Sequence, residues 1–148
     1  MATIAKIEVQ IKSPADKFYG IFRNNIGHLT EVFPDHYKSM EVIEGEGNGL
    51  GSARLWNFHL ETPMVFKERI GAIDDENRSI TFCAFEGDIN TDYCTFNATV
   101  QVTPQGDGSL VKWFIEFEKT NEDVRHPNHF LDFFEKVTKE MDAYLLKT

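Results

Sequence analysis

From Thr3 to Ile11 apolar and polar residues alternate. Ile7, Val9 and Ile11 fall on one side and Lys6, Glu8, Gln10 and Lys12 on the other, which is the period of a strand with one buried face. Ser13-Pro14-Ala15-Asp16 then reads as a helix start, with a hydroxyl cap, a proline at the first helical position and an acid in the first turn. Phe18, Ile21 and Phe22 share one face of the short helix this predicts, and Asn24-Asn25 interrupts it before a second short helix that ends near Phe33-Pro34. From Lys38 to Lys119 strand follows strand, divided at residues 45–51, 61–63, 74–77, 87–88 and 105–108 by glycine, proline and acidic turn residues. After His126 or Pro127 the period becomes helical and runs to Leu146. Phe130, Phe133, Phe134, Val137, Met141, Tyr144 and Leu145 then form one stripe, with Asp132, Glu135, Lys136, Lys139 and Glu140 opposite.

One strand, two short helices, six strands and a long helix predict an α+β architecture in a single domain, residues 1–148. Its plan is a seven-stranded curved antiparallel sheet wrapped around the C-terminal helix. A sheet that grips a helix without filling all the space beneath it leaves room for an internal apolar cavity.

Composition narrows the partners. The net charge of -9, with no basic cluster to offset it, argues against nucleic acid and anionic membrane surfaces. Met1 to Ile11 has no apolar run after a basic start, and no stretch approaches the roughly 20 apolar residues of a membrane span, so the expectation is a soluble cytoplasmic protein. The 13 Phe against 4 Tyr and 2 Trp supply apolar bulk without polar handles, suited to a core or to cavity walls. Cys83 and Cys94 lie in no CxxC and beside no ligand-spaced histidine, and His126-x-x-His129 straddles a proline at a helix start, so neither a disulfide nor a metal site is expected. GxSxG is absent, and no cofactor-binding motif appears: the glycines at 45, 47, 49 and 51 are followed by a strand, not by the helix a phosphate-binding loop opens.

The hairpin Val102-Thr103-Pro104-Gln105-Gly106-Asp107-Gly108-Ser109-Leu110-Val111-Lys112-Trp113 resembles a signature of the plant major latex proteins. So do Glu44-Gly45-Glu46-Gly47-Asn48-Gly49-Leu50-Gly51, Phe66-Lys67-Glu68-Arg69-Ile70, Phe85-Glu86-Gly87-Asp88 and the segment from Asp123 to Leu131. The chain is thus identified as a member of that family, within the superfamily of the pathogenesis-related proteins and the major birch pollen allergen. The resemblance implies the helix-grip fold, a cavity for hydrophobic compounds, and a role in plant defence, stress or metabolite handling. Some relatives are cofactor-free enzymes acting on reactive alkaloid or iridoid intermediates, although the lysine and tyrosine pattern of the alkaloid-condensing members is not evident here.

Parity along the strands, aligned with these relatives, points Arg54, Trp56, Phe58 and Leu60 inward, then Met64, Phe66, Glu68 and Ile70, then Ile80, Phe82 and Ala84. Phe96, Ala98, Val100 and Val102, with Val111, Trp113, Ile115 and Phe117, complete the sheet face, and Phe130, Phe133, Phe134, Val137 and Met141 close it from the helix. From these the candidate ligand-binding set is Arg54, Trp56, Phe58, Phe66, Glu68, Phe82, Phe96, Ala98, Trp113, Ile115, Phe133, Phe134, Val137 and Met141, with Gly45, Gly47, Gly49 and Gly51 as a flexible loop at the cavity rim. Arg54 either pairs a ligand carboxylate or reaches Glu68 on the next strand. Glu68, if unpaired in so apolar a setting, has the raised pKa of a general acid or base.

The first expectation is therefore a binding protein for a steroid, terpenoid, phenolic or other plant metabolite, with no cofactor. The alternative is a cofactor-free cyclase or isomerase, in which Glu68, Arg54 and His28 are the candidate catalytic groups. A pathway enzyme or a signalling protein is the expected kind of macromolecular partner.

Overall fold

The computed structural model describes residues 2–147, so the expected domain limits Met1 and Thr148 lie outside the described residues. Strand β1 (Thr3–Ile11) leads into helix α1 (Ala15–Asn24), a single 3-10 turn (Ile26–His28) and the four-residue helix α2 (Leu29–Val32). Strands β2 (Tyr37–Glu44), β3 (Ala53–Leu60), β4 (Thr62–Asp74) and β5 (Ser79–Gly87) follow, then a short helix α3 (Asp88–Asp92), strands β6 (Tyr93–Gln105) and β7 (Gly108–Lys119), and the long helix α4 (Asn128–Leu146). The strands form one antiparallel sheet in the order β1-β7-β6-β5-β4-β3-β2. This is the α+β helix-grip architecture expected from the hydropathy pattern.

The longest ladder is β6 with β7, which runs to Gln105 opposite Gly108 across the two-residue turn Gly106-Asp107. Gly106 takes φ +59, a left-handed conformation that costs glycine little. Val100, Val102, Val111 and Ile115 on the inner face are fully buried, each burial contributing roughly 1.5–3 kcal/mol. The stripe of α4 meets this face through aromatic pairs: Phe130 with Phe96 at 4.9 Å between ring centroids, Phe134 stacked on Trp113 at 4.5 Å, and Phe133 edge-on to Phe58 at 5.2 Å. Trp113 also donates its indole N–H to Thr138 Oγ1 at 2.9 Å, so the one polar atom of that ring is satisfied within the core.

Two local readings are corrected. Ser13 does not cap α1: Pro14 occupies the cap position with no side-chain cap bond. The Ser13 amide and hydroxyl both donate to Asp142 Oδ1 on α4, at 2.9 and 2.6 Å, because a carboxylate is the stronger acceptor and ties the two helices together. The divider at Gly87-Asp88 is the approach to a fourth helix, α3. Gly87 sits at φ +116, where a Cβ would collide with the Val65 carbonyl, and the Val65 amide donates to Asp88 Oδ2 at 2.7 Å. Five residues are too few to show a helical apolar period.

Register shifts bend the sheet around the future site. Ile70 pairs Phe82 and Ala72 pairs Thr81, so Gly71 is an extra residue in β4; Lys67 pairs Glu86 and Glu68 pairs Ala84, so Phe85 is an extra residue in β5. These bulges flank the Glu68–Ile70 segment, increasing local twist and aiming its side chains. A third shift, between Tyr37 and Ser39, sets Tyr37 at the head of β2.

Candidate functional site

Between the sheet, the α1–α2 segment and α4 lies an apolar cavity whose walls come from every layer of the fold. The space is about 640 Å³ counted out through its mouth into solvent. Of the expected residues, Trp56, Phe58, Phe66, Glu68, Phe82, Phe96, Ala98, Trp113 and Phe134 line it. Ala84 and Phe130, placed on the inner face by parity, line it too.

The remaining expected residues stand elsewhere. Ile115, Val137 and Met141 are sealed in the core behind the wall, and Phe133 packs its ring against Phe58, Tyr37 and His36 instead of facing the chamber. Arg54 is 1% exposed and sits behind Glu68. His28 is not in the wall: its Nε2 is 2.9 Å from the Tyr144 hydroxyl and its Nδ1 3.2 Å from Glu31. Strand and stripe periodicity say which face a residue shares, but depth behind the surface is a property of three packed layers that no single period encodes.

Conversely, Phe22, Ile26, Leu29, Tyr37 and Ile89 line the chamber without having been in the candidate set. Phe22 was visible as part of the apolar face of α1. Tyr37 follows the short helices in sequence; its amide bonds the Phe33 carbonyl and its ring stands against Trp56 at 5.4 Å and Phe58 at 5.0 Å.

The polar chemistry of the chamber is concentrated in one cluster. Glu68 is 7% exposed, and its Oε1 accepts bonds from Arg54 Nη2 at 3.3 Å and from the Trp56 indole N–H. Among the described residues Oε2 takes part in no hydrogen bond, nor does the Tyr37 hydroxyl. Burial pushes the Glu68 carboxyl above the ordinary carboxylate range against the opposing pull of Arg54 and Trp56. The Tyr37 hydroxyl is likewise held above the usual phenol range, first by burial and then by the charge of Glu68, which places the two groups within electrostatic reach. Of the two expected partners for Arg54, the acid on the neighbouring strand is the one observed.

The glycine loop between β2 and β3 is hydrogen-bonded to three arginines. None of its glycines lines the chamber. Gly47 is buried, its carbonyl accepting from Arg54 Nη1 at 3.2 Å and its amide donating to Ser52 Oγ at 3.1 Å. Arg69 donates to the Gly51 carbonyl at 2.7 Å, and Arg23 to that of Asn48. Gly45, Gly47 and Gly51 take positive φ, which lets the carbonyls turn toward these arginines. Arg54 therefore joins the loop to the carboxyl in the chamber.

His126 and His129 pack on Phe117 and Phe130, and among the described residues no group of three or more His, Cys, Asp or Glu converges as a metal site. No helix among them is long and apolar enough to cross a membrane.

A curved sheet gripping a helix over an aromatic chamber with one buried carboxyl defines the class: a helix-grip cavity protein. Comparison with known proteins makes the family explicit. The profile of the pathogenesis-related protein Bet v 1 family matches residues 1–148, and the chain belongs to that family, in its major latex protein branch. It is 40% identical to MLP-like protein 423 of Arabidopsis thaliana over 99% of this chain and 96% of that one. It is 42% identical to MLP-like protein 34 of the same plant, of which it spans only 45% while 94% of this chain is covered. The crystal structure of ginseng major latex-like protein 151 superposes with a TM-score of 0.93 at 33% identity, covering 98% of each chain. Norcoclaurine synthase from Thalictrum flavum shares the fold at a TM-score of 0.83 with 19% identity, covering 100% of this chain and 88% of that one.

Proposed function

We propose that this protein binds an apolar small molecule, of the size and character of a plant secondary metabolite, in the chamber beneath the sheet, and that it does so in the cytoplasm. The observation that carries the reading is a concave space walled by aromatic rings from both sheet and helices, with Glu68 its one ionisable carboxyl among the described residues. Such a space gains about 25 cal/mol for each Å² of apolar surface removed from water and needs few polar contacts to orient the guest. Membership of a family whose fold houses small hydrophobic ligands supports the same reading. Defence, stress response or metabolite handling is the proposed setting.

Calorimetric titration with naphthalene tests it. Saturable binding is expected for the native chain. Ala98→Leu, which puts a larger side chain into the space, is expected to weaken that binding at least about tenfold, a change of 1.4 kcal/mol, while the fold persists. No saturable binding, or equal binding by Ala98→Leu, overturns the reading.

One observation favours a second reading, cofactor-free isomerisation or cyclisation. Glu68 is a carboxyl in the chamber lining whose pKa burial raises, a property suited to a general acid or base. On that reading Glu68→Gln loses turnover and keeps binding.

A further inference from the structure

The cluster at Glu68 also constrains the charge of the guest. Arg54 is the cation that reaches Glu68, and it does not belong to the wall: it is 1% exposed and committed to Glu68 Oε1, to the Gly47 carbonyl and, at 5.2 Å, to the face of Phe82. Among the described residues the lining contains no Lys, Arg or His. The buried charges of Arg54 and Glu68 balance each other, so a ligand carboxylate entering the chamber adds an uncompensated negative charge beside an existing acid. Burial of an unpaired ion is far more costly than burial of a neutral polar group.

What the cluster offers instead is one acceptor and one hydroxyl. Glu68 Oε1 takes both bonds from Arg54 and Trp56 and Oε2 takes none among the described residues, while Tyr37, whose hydroxyl has no hydrogen-bond partner among them, lines the same space as Glu68. A ligand hydroxyl answers both at once, donating its O–H to Glu68 Oε2 and accepting from the Tyr37 O–H. A carbonyl satisfies only donors, and a hydrocarbon satisfies neither. Resting on the chamber as a binding site, we infer that it selects uncharged molecules with a hydroxyl on an apolar body, alcohols and phenols, and rejects the matching carboxylates.

The test is a calorimetric comparison, near neutral pH on the whole chain, of naphthalene, 2-naphthol and 2-naphthoate, which share one ring system and differ at one substituent. The inference expects 2-naphthol to bind about tenfold or more tighter than naphthalene, and 2-naphthoate at least about tenfold weaker than 2-naphthol, the range set by leaving buried polar groups unanswered. Tyr37→Phe, which removes only the hydroxyl, is expected to bring 2-naphthol toward naphthalene. Glu68→Gln, which frees Arg54 of its carboxylate partner, is expected to narrow the gap between naphthoate and naphthol. Naphthoate binding as tight as naphthol, or naphthol no tighter than naphthalene, overturns the inference and leaves the chamber standing as a binding site. Failure of all three to bind removes the binding site itself and the inference with it.

Discussion

Arg54→Met isolates the buried ion pair on which the site is built. The substitution keeps an apolar stem of similar reach but removes the bonds to Glu68 Oε1 and the Gly47 carbonyl. Removing one partner of a buried pair costs about 3–5 kcal/mol, because the other charge is left uncompensated. The loss has a characteristic pH dependence. Glu68 already has a folded pKa above its ordinary value, and without Arg54 the opposing pull disappears, leaving the Trp56 indole as the remaining stabiliser of the charged form. Between the ordinary carboxylate pKa and the higher folded value the native state holds a proton that the unfolded state has released. Stability therefore falls as pH rises through that window, by up to 1.36 kcal/mol per pH unit for this group. Urea unfolding of native and Arg54→Met proteins at a series of pH values should show a stability difference that is small in acid, where Glu68 is neutral in both states, and grows toward neutral pH. Arg54→Met with Glu68→Leu, which removes both charges, should recover most of the loss. A stability difference independent of pH, or a double variant no more stable than Arg54→Met, would show that Glu68 does not carry the buried charge assigned to it.

Three further substitutions probe how the chamber is framed. Asp142→Ala strands the amide and hydroxyl of Ser13, which is fully buried, and is expected to cost about 1–3 kcal/mol in thermal or denaturant unfolding, since two donors lose one carboxylate. Thr138→Val keeps the shape of the side chain but leaves the Trp113 indole N–H without its acceptor; a loss of about 1–3 kcal/mol is expected, and an unchanged denaturation midpoint would remove that bond from the account. Gly108→Ala drives a Cβ into the Ile11 carbonyl, where β1 passes the β6–β7 turn, and should lower the melting temperature by an amount matching about 1–3 kcal/mol or more of overpacking.

Much of this was legible because strands and helices impress different periods on the chain. Trp56, Phe58, Phe66, Glu68, Phe82, Phe96, Ala98 and Trp113 were assigned to the inner face by parity, and all of them stand on the chamber wall. Parity survives even the bulges at Gly71 and Phe85, because each extra residue lies outside the inward set. What periodicity lacked was depth and long-range bonding. It could not separate Ile115 and Met141, both fully buried, from wall residues one layer nearer the space. Nor could it show that Asp142, 129 positions away, takes the Ser13 hydroxyl from the cap of α1, or that three arginines hold a glycine loop whose composition suggested mobility. The Ser13–Asp142 contact joins elements 129 residues apart through a single carboxylate oxygen.

The ion pair beneath the chamber is hard to explain as a device for stability. Well-packed apolar residues in place of a buried charge pair are often neutral or stabilising, and here Arg54 Nε is buried with no hydrogen-bond partner among the described residues, an added cost of desolvation. The bulges on either side of Glu68–Ile70, the indole of Trp56 turned to the same oxygen as Arg54, and the unpartnered hydroxyl of Tyr37 all act on that one corner. A fold held together by aromatic packing thus keeps a costly polar cluster in the chamber lining, the pattern expected when local stability is given up for recognition, as the proposed binding role requires.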